Sequence, residues 1–249
     1  MILIKNKKEI EVIAEGGKIL SRVMASLGKM VRPGITTREL DETAHGLILK
    51  FGGSCSFKGY QGFPACLCTS VNQEIVHFVP SSKVVLKEGD IVSLDLGVFY
   101  KGFHTDMAVT LPVGKIDKEA KKLIKVTKKS LEKAIKEIKP GKKFGDIGYV
   151  IQKYVEGQGL SVVRDLCGHG IGKTIHEDPQ ILNYGKKGTG VEFKEGMVFC
   201  IEPMITNGGW RIKRSEGDDF GYETADGSLS AHFEHTIAVL KNGCRLLTV

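Results

Sequence analysis

The chain has 249 residues, of which 41% are hydrophobic and 26% charged, so it can bury a sizeable core as one large domain or two small ones. Its formal net charge is +7 at pH 7. No run approaches the roughly 18 uninterrupted apolar residues of a membrane-spanning helix, and the N-terminus lacks the apolar core and cleavage site of a signal peptide. We therefore expect a cytoplasmic protein that does not cross a membrane.

The placement of cysteine argues against a disulfide-rich secreted protein. The six cysteines form no Cys-x2-Cys pair and no dense framework. They are Cys55, Cys66, Cys68, Cys167, Cys200 and Cys244. We expect reduced thiols, because cytoplasmic thiols are kept reduced.

Two amphipathic helices are predicted at the start of the chain. Residues 9–28 place apolar side chains at helical spacing, and a second pattern of this kind follows Pro33-Gly34. The first pattern consists of Ile10, Ile13, Gly17, Leu20, Met24 and Leu27, and the second of Leu40, Ala44, Leu47 and Ile48. Helices of this type are expected to cover one face of a sheet.

An acidic residue lies in each of the next two predicted strands. Alternation along DIVSLDLGVF places Asp95 on one strand face, and Lys101-Gly102 after it is a plausible tight turn. If these two residues form the loop, Asp95 lies opposite Ala108, and Asp106 lies opposite Gly97. The two carboxylates are then diagonal neighbours on one face, roughly 7 Å apart between backbones. The alternative is a pair of surface acids beside a turn, but the apolar runs around them favour burial.

Segment 115–143 is rich in lysine, with twelve lysines against four acidic residues. Its apolar residues follow helical spacing, which predicts an amphipathic helix with a lysine-rich outer face. They are Leu123, Ile124, Thr127, Leu131, Ala134, Ile135 and Ile138. A solvated helix face is the favoured interpretation, and a docking surface for a polyanion such as RNA is the alternative.

The two halves of the chain match at one offset of 107 residues. Lys87-Glu88-Gly89 falls on Lys194-Glu195-Gly196, and the helical patterns match at the same offset. The sequence predicts an α+β fold in which related halves, roughly 9–110 and 116–240, share a curved, largely antiparallel sheet covered by helices. No regular linker separates the halves, so we expect a single domain over residues 1–249.

Two histidines lie in the glycine-rich segment CGHGIGKTIHEDPQ. Gly168, Gly170 and Gly172 disfavour a helix there, which excludes the HExxH arrangement of zinc proteases. Glycine on both sides of His169 indicates close approach of the backbone to a ligand or metal. Either His169 or His176 alone would more often be structural, but a ligand role for one is favoured beside the acids described next.

Four acidic residues lie in apolar, strand-like runs: Asp95, Asp106, Glu202 and Glu234. A buried carboxylate must protonate, find a partner or bind a metal. Together with His169 they form a donor set of oxygens and one imidazole, which suits Mn, Fe(II), Co or Zn and does not suit Cu(I). Two such ions, about 3.5–4 Å apart, lower the pKa of bound water. The pattern therefore predicts a metal-dependent hydrolase with a dinuclear centre.

Five motifs stand in the order and at the spacing of the type I methionine aminopeptidases, and the chain resembles that family over essentially its whole length. They are SVNQEIVHFVP, GDIVSLDLGVFYKGFHTD, CGHGIGKTIHEDP, FCIEPM and HFEHTIAV. The resemblance implies the pita-bread fold, which has two pseudo-symmetric halves. It also implies removal of the initiator methionine from nascent chains whose second residue is small. Neither the zinc-finger extension of eukaryotic members nor the helical insertion of type II enzymes is expected, as in the short bacterial subclass.

The resemblance also implies how two divalent ions are held. Asp95 would chelate one ion, while Asp106 and Glu234 would bridge both. His169 and Glu202 would complete the second site. Glu202 would additionally act as a catalytic residue that takes a proton from the attacking water.

Further residues are implied to contact the substrate. His77 would act on the scissile amide or leaving group, and His176 would stabilise the tetrahedral oxyanion. An apolar, flexible pocket suits the unbranched thioether of methionine, and it would be formed by Tyr60, Phe63, Cys68 and Phe220. Gln61, Ile175 and Phe220 stand where histidine, an aromatic residue and tryptophan are common in the family, which puts the shape of the pocket in question but leaves the metal ligands intact.

Two other functions fit the same fold. An X-Pro peptidase such as prolidase or aminopeptidase P is disfavoured, because those enzymes usually carry an additional N-terminal domain. A non-enzymatic module that binds protein or RNA is disfavoured, because such relatives typically lose metal ligands.

A basic segment, NGGWRIKR, places Arg211, Lys213 and Arg214 beside Trp210, which we expect to be exposed. Its position resembles a loop of the family that is thought to touch the ribosome. Ribosome docking of a monomeric enzyme is therefore a hypothesis, with the lysine-rich segment 115–143 as the rival surface. Salt would screen either contact.

Overall fold

The computed structural model describes all 249 residues. Its helices are α1 (Lys7–Met30), α2 (Thr37–Lys50), a short 3-10 helix (Tyr60–Gly62), α3 (Lys118–Ile135) and α4 (Phe144–Glu156). Its strands are β1 (Ser54–Cys55), β2 (Leu67–Val71), β3 (Glu74–Val76), β4 (Ile91–Tyr100), β5 (Phe103–Pro112), β6 (Ser161–Val162), β7 (Cys167–Gly170), β8 (Glu177–Leu182), β9 (Val198–Ile201), β10 (Met204–Thr206), β11 (Ile212–Arg214), β12 (Tyr222–Thr224), β13 (Ser230–His232), β14 (His235–Leu240) and β15 (Gly243–Leu246). None of the helices combines the length and the apolar character that crossing a membrane requires.

Local sequence explains where the first two helices begin. Asn6 and Glu9 form a capping box at the start of α1, and Thr36 and Glu39 form another at the start of α2. In each box the two side chains satisfy backbone amides that have no partner inside the helix. The apolar stripe of α1 predicted from the sequence is confirmed as its buried face.

The lysine-rich helix is shorter than predicted. Helix α3 ends at Ile135, and residues 136–143 turn towards α4 rather than continue the helix. Ile138 is only 2% exposed within the core, so the chain bends inward there, and Pro140 disfavours helical backbone at the residue before it. The prediction of one helix over 115–143 is therefore wrong at its C-terminal end, and the helix also begins later than predicted, at Lys118.

Antiparallel pairing organises the strands into four hydrogen-bonded sheets. The orders are β1-β4-β2 with β5 on β4, β13-β10-β6, β11-β12-β3 and β15-β14-β9-β7-β8. Within the β4–β5 hairpin, Asp95 lies opposite Ala108 and Gly97 lies opposite Asp106, which confirms the predicted register. Lys101 and Gly102 both have positive φ, at 48° and 88°, as a two-residue type I′ turn requires.

Each pair of helices covers its own set of strands. One core joins α1 and α2 to the inner face of β4, and another joins α3 and α4 to β9 and β14. Helices α2 and α4 begin 107 residues apart, at Thr37 and Phe144. This spacing equals the offset from which the repeat was predicted.

The two sets of strands meet where β5 runs beside the segment that leads into β14. The Glu234 amide donates to the Ala108 carbonyl at 2.9 Å, and the Asp106 amide donates to the Thr236 hydroxyl at 2.8 Å. Thr236 returns a hydrogen bond of 2.8 Å to the Asp106 carbonyl. Two of the predicted acidic ligands are therefore brought together by backbone hydrogen bonding between sequence-distant segments.

The prediction that all six cysteines are reduced is wrong for two of them. Cys55 and Cys66 form a disulfide, and their Cα atoms lie 5.2 Å apart. Both flank β4, because Cys55 pairs with Val98 and Leu67, next to Cys66, pairs with Leu96. Neighbouring positions across one strand bring the thiols within bonding range, although the two cysteines are 11 positions apart in the sequence.

Candidate metal centre

Four predicted acidic ligands converge at the junction of the two sets of strands. Asp95 on β4, Asp106 on β5 and Glu234 before β14 are 8%, 3% and 2% exposed. Each offers a carboxylate oxygen, and these atoms all lie within 4.8 Å of one another. Glu202 directly follows β9, and its Oε1 lies 3.4 Å from His169 Nε2. The structure thus gathers the five residues proposed from the sequence into one site.

Burial makes the ionised form of these carboxylates expensive. It raises the pKa of Asp106 and of Glu234 well above the usual range, and in each case neighbouring carboxylates raise the pKa further. The pKa of Glu202 is raised for the same two reasons, with Asp95 and Asp106 as the repelling neighbours. Burial also raises the pKa of Asp95. A group of acids that repel one another in a dry site is suited to binding cations.

Unsatisfied polar atoms show that the site fits a metal. Asp95 Oδ1 and Glu234 Oε1 are buried and have no hydrogen-bond partner, an arrangement that costs free energy unless a cation is coordinated. Burial lowers the pKa of His169 to about 3, so its imidazole is neutral at pH 7. His169 Nδ1 donates to the Gly170 carbonyl at 2.9 Å, which leaves Nε2 with a free lone pair towards Glu202, as a metal-ligating histidine requires.

Both predicted non-ligand histidines border the same cavity. His77 has a φ of 67°, which is unusual for a residue other than glycine, and burial lowers its pKa to about 4. Burial also lowers the pKa of His176. His176 Nδ1 hydrogen-bonds the Tyr60 hydroxyl at 2.9 Å, and its ring meets His169 edge-on at 4.4 Å. Two imidazoles with lowered pKa values therefore line the cavity that contains the acidic cluster.

The cavity has a volume of about 620 Å³ and an apolar wall beside the acids. Phe63 and Phe220 meet edge to face at 5.3 Å, and Cys68 and Ile175 belong to the same apolar cluster. Tyr60 and Gln61 also line the cavity. All four predicted pocket residues and all three positions that depart from the family pattern therefore lie around one space.

Three residues near the centre were not identified from the sequence. Cys200 Sγ lies within 4.8 Å of the ligand atoms of His169 and Glu234, but burial raises the pKa of its thiol, which therefore stays protonated. His232 Nε2 lies 3.9 Å from Glu202 Oε2, with both ring nitrogens buried and unpartnered. Alternation in SAHFEHT, two residues before Glu234, was the available signal for His232. Phe57 lines the cavity wall, and nothing local distinguished it from a core phenylalanine.

In the basic segment Trp210 is less exposed than predicted, whereas Arg211, Lys213 and Arg214 are all exposed. Trp210 is half-buried, with the guanidinium of Arg211 4.8 Å and that of Arg164 5.2 Å from its ring centroid. Lys213 pairs with Glu223 at 3.0 Å. Arg214 lines the rim of the same cavity, where its guanidinium donates to the Asp219 carbonyl at 3.2 Å.

Comparison with known proteins agrees with this site. The model of metallopeptidase family M24 matches residues 11–241. A methionine aminopeptidase of Clostridium acetobutylicum is 47% identical over 249 residues, covering 100% of this chain and 99% of the relative. The crystal structure of a methionine aminopeptidase from Thermotoga maritima has a TM-score of 0.97 at 45% identity, with 100% and 99% of the two chains covered.

A more distant structure shares the fold alone. Prolidase from Pyrococcus furiosus superposes with a TM-score of 0.77 at 24% identity, and this chain covers 65% of it. The sequence identity of this chain to the two methionine aminopeptidases, 47% and 45%, is thus much higher than its 24% identity to the prolidase. The chain belongs to metallopeptidase family M24 and, within it, to the methionine aminopeptidases.

Proposed function

We propose that this chain hydrolyses the first peptide bond of polypeptides that begin with methionine and continue with a small residue. The observation that carries the proposal is the meeting, in one cavity, of three buried carboxylates, the partly buried Glu202, an imidazole with a free Nε2 and an apolar wall. No other arrangement in the chain combines a metal-binding donor set with a recognition pocket.

The metal ligands would be Asp95, Asp106, His169, Glu202 and Glu234. Their unsatisfied oxygens and raised carboxylate pKa values support this assignment. Divalent ions held there would supply Lewis acidity and a lowered pKa for bound water. Oxygen donors with one imidazole fit Mn, Fe(II), Co or Zn.

Glu202 would move the proton of the reaction. It lies beside the cluster with its side chain 13% exposed, so it is accessible from the cavity although mostly buried. Its carboxylate would accept a proton from the water that attacks the carbonyl carbon and then deliver that proton to the departing amine. Because His169 and His232 flank Glu202 from two sides, its orientation is restricted.

The two histidines would act on the peptide bond itself. Desolvation lowers the pKa of each, which favours the neutral imidazole, and a neutral imidazole N–H can donate to an oxygen that gains negative charge. His176 is held at Nδ1 by Tyr60, which leaves Nε2 for the carbonyl oxygen. His77 would contact the nitrogen of the leaving residue.

The methionine side chain would occupy the apolar wall of the cavity. Phe63, Cys68 and Phe220 belong to one apolar cluster on this wall, which suits a flexible thioether. Gln61 would face the substrate from the rim.

A metal add-back assay tests the proposal. Metal-free enzyme would be given Mn²⁺, Fe²⁺, Co²⁺ or Zn²⁺, and release of methionine from Met-Ala-Ser would be measured beside Met-Leu-Ser. We expect metal-restored hydrolysis of the first peptide and little of the second. Absence of activity with every metal, in a folded protein, would contradict the proposal.

We further propose a cytoplasmic monomer whose single domain spans residues 1–249 and docks on the ribosome through its basic surface. The net charge of +7, the exposed Arg211 and the row of exposed lysines on α3 support docking. Reversing charge at Arg211 and Lys213 should weaken co-sedimentation with ribosomes and leave tripeptide hydrolysis unchanged. The matched control reverses Lys121 and Lys125 on α3; a larger loss in that control would assign docking to α3.

A further inference from the structure

A buried ion pair connects the start of the chain to the segment that carries His176. Lys5 Nζ pairs with Glu177, and the two side chains are only 5% and 4% exposed. Glu177 directly follows His176, whereas Lys5 lies 172 residues earlier in the sequence. Lys5 is the one lysine of the chain whose side chain is fully enclosed, so its charge depends on this single carboxylate and on the Leu3 carbonyl at 3.3 Å.

The backbone around Lys5 is fixed to the strand that leads into the centre. The Lys5 amide donates to the Gly196 carbonyl at 2.8 Å, and Ile4 forms an antiparallel bridge with Met197. Met197 immediately precedes β9, and Glu202 follows that strand. The backbone of Lys5 is therefore hydrogen-bonded to the segment that leads through β9 to Glu202.

On the other side of the pair, the Glu177 carboxylate is tied to the turn that precedes it in the chain. Glu177 Oε1 accepts from the Thr174 amide at 3.3 Å, and the Thr174 hydroxyl donates to the His176 carbonyl at 3.1 Å. A Cβ at Gly172 would lie 2.5 Å from Lys5 Cε and 2.9 Å from Glu177 Oε1, so the ion pair fills the space that this glycine leaves. The turn before His176 is thus folded around the Glu177 carboxylate.

Stability alone gives little reason for such a pair. Desolvation of two charges offsets most of their attraction, and a buried ion pair is often replaceable by apolar residues without loss of stability. The ion pair can have a larger effect on the reaction rate than on stability. A displacement of about 1 Å at a catalytic group can reduce the rate by about 100-fold.

We propose that Lys5 and Glu177 are positioning residues for the reaction: through the turn 172–177 they hold the backbone at His176 so that its imidazole faces the carbonyl of the scissile bond. Tyr60 fixes the imidazole from the side of Nδ1, and the Lys5–Glu177 pair fixes the backbone beneath it. The inference rests on the role of His176 proposed above. Lys5 does not line the cavity, so it acts without touching substrate.

A double-mutant cycle between Lys5 and His176 tests the inference. The values of kcat and KM for Met-Ala-Ser would be measured with the Mn²⁺-loaded enzyme for wild type, Lys5→Met, His176→Ala and the two substitutions combined. We expect Lys5→Met to lower kcat by about 10- to 100-fold, with KM within about twofold of wild type, because an oxyanion contact is made only in the transition state. In the His176→Ala background, Lys5→Met should cause no further loss.

Controls separate positioning from folding. Lys7→Met removes an exposed lysine two residues away and should keep wild-type kcat. The number of Mn²⁺ ions bound should be unchanged in Lys5→Met. If Lys5→Met does not fold, the same measurements would be made on Lys5→Met/Glu177→Gln, which removes both charges and leaves neither buried alone.

Two results would overturn the inference. One is a wild-type kcat in the folded Lys5 variant, and the other is an additive loss in the combined variant, which would show that Lys5 acts independently of His176. An inactive wild type, or a His176→Ala enzyme with undiminished kcat, would instead remove the proposed function on which the inference rests, and the inference with it.

Discussion

At the scale of single residues, the site is defined by charges that the fold does not neutralise. Asp95 and Glu234 each keep a buried oxygen without a partner. An acid within an apolar strand was sufficient to find these residues in the sequence, because an unpaired buried carboxylate is prohibitively costly unless it serves a purpose. Cys200 and Phe57 could not be identified in this way, because cysteine and phenylalanine are also common in ordinary hydrophobic cores.

Replacing one of these acids should stabilise the metal-free protein while abolishing its response to metal. In Asp106→Asn, a carboxyl whose pKa is raised by burial and by its acidic neighbours becomes a neutral amide. A raised folded pKa means that stability is lost as pH rises above the unfolded value, so the gain in Tm should be larger at pH 8 than at pH 5.

Thermal melts with and without Mn²⁺ check this prediction. Ligand at about 100 times Kd stabilises wild type by about 2.7 kcal/mol, and the variant should lack most of that rise. Equal stabilisation by Mn²⁺ in both proteins would argue against Asp106 as a ligand.

Glu74, which lies outside the candidate metal centre, should make the stability of the protein depend on pH. Burial, with Asp218 and Glu223 nearby, raises its pKa from 4.5 to about 7, despite a hydrogen bond from the Val71 amide. The folded state therefore binds its proton more tightly than the unfolded state, and the carboxylate reduces stability increasingly between pH 4.5 and about 7. Glu74→Gln should raise Tm at pH 8 and leave it unchanged near pH 4.

Glu39 provides the control, because its pKa is shifted in the opposite direction and its carboxylate should therefore increase stability. Its pKa is lowered by the Thr36 hydroxyl and amide, so its contribution is present at pH 8 and is lost in acid. Glu39→Gln should lower Tm slightly at pH 8. A similar pH response in both variants would show that neither carboxyl has the shift described.

At the scale of elements, the β4–β5 hairpin positions two of the ligands. Its register follows from a two-residue turn and from strict alternation, since a slip by one residue would move every side chain to the opposite face. Both features are local, which explains why the pairing of Asp95 with Ala108 could be derived from the sequence. The end of α3 could not, because the inward bend at Ile138 depends on packing against α4.

Two identical substitutions should have opposite effects on stability. Gly102→Ala places a side chain at a φ of 88° in the hairpin turn, and we expect it to destabilise the protein by about 1 kcal/mol or more. Gly46→Ala lies within α2, where a Cβ would meet nothing within 4 Å, and should stabilise by up to about 1 kcal/mol. Urea unfolding of both variants measures the difference; destabilisation by both would remove the conformational explanation.

At the scale of the whole molecule, the centre lies where the two sets of strands meet. Few hydrogen bonds make that junction, and Thr236 supplies two of them by accepting from the Asp106 amide and donating to the Asp106 carbonyl. The position of the shared acids therefore depends on how one half of the chain sits against the other.

Removing the Thr236 hydroxyl should weaken both the fold and the site. Thr236→Val keeps the shape but leaves buried backbone groups of Asp106 unpaired, which costs about 1–3 kcal/mol. Weaker Mn²⁺ binding should accompany the loss, because Asp106 is no longer held. Thr127→Val in α3 is the matched control, since its hydroxyl donates to the helical carbonyl of Leu123. A loss of stability in Thr236→Val without any change in Mn²⁺ affinity would contradict the link.

The sequence by itself determined the helices that its apolar periodicity describes, the hairpin register, the acids and the histidines, because each has a signal within a few residues of itself. Only the tertiary structure decided which distant segments meet: the Cys55–Cys66 disulfide and the pairing of Lys5 with Glu177. The physical reason is that such contacts depend on how complete elements pack, and the residues that form them carry no pattern in their own neighbourhood that differs from ordinary core or surface.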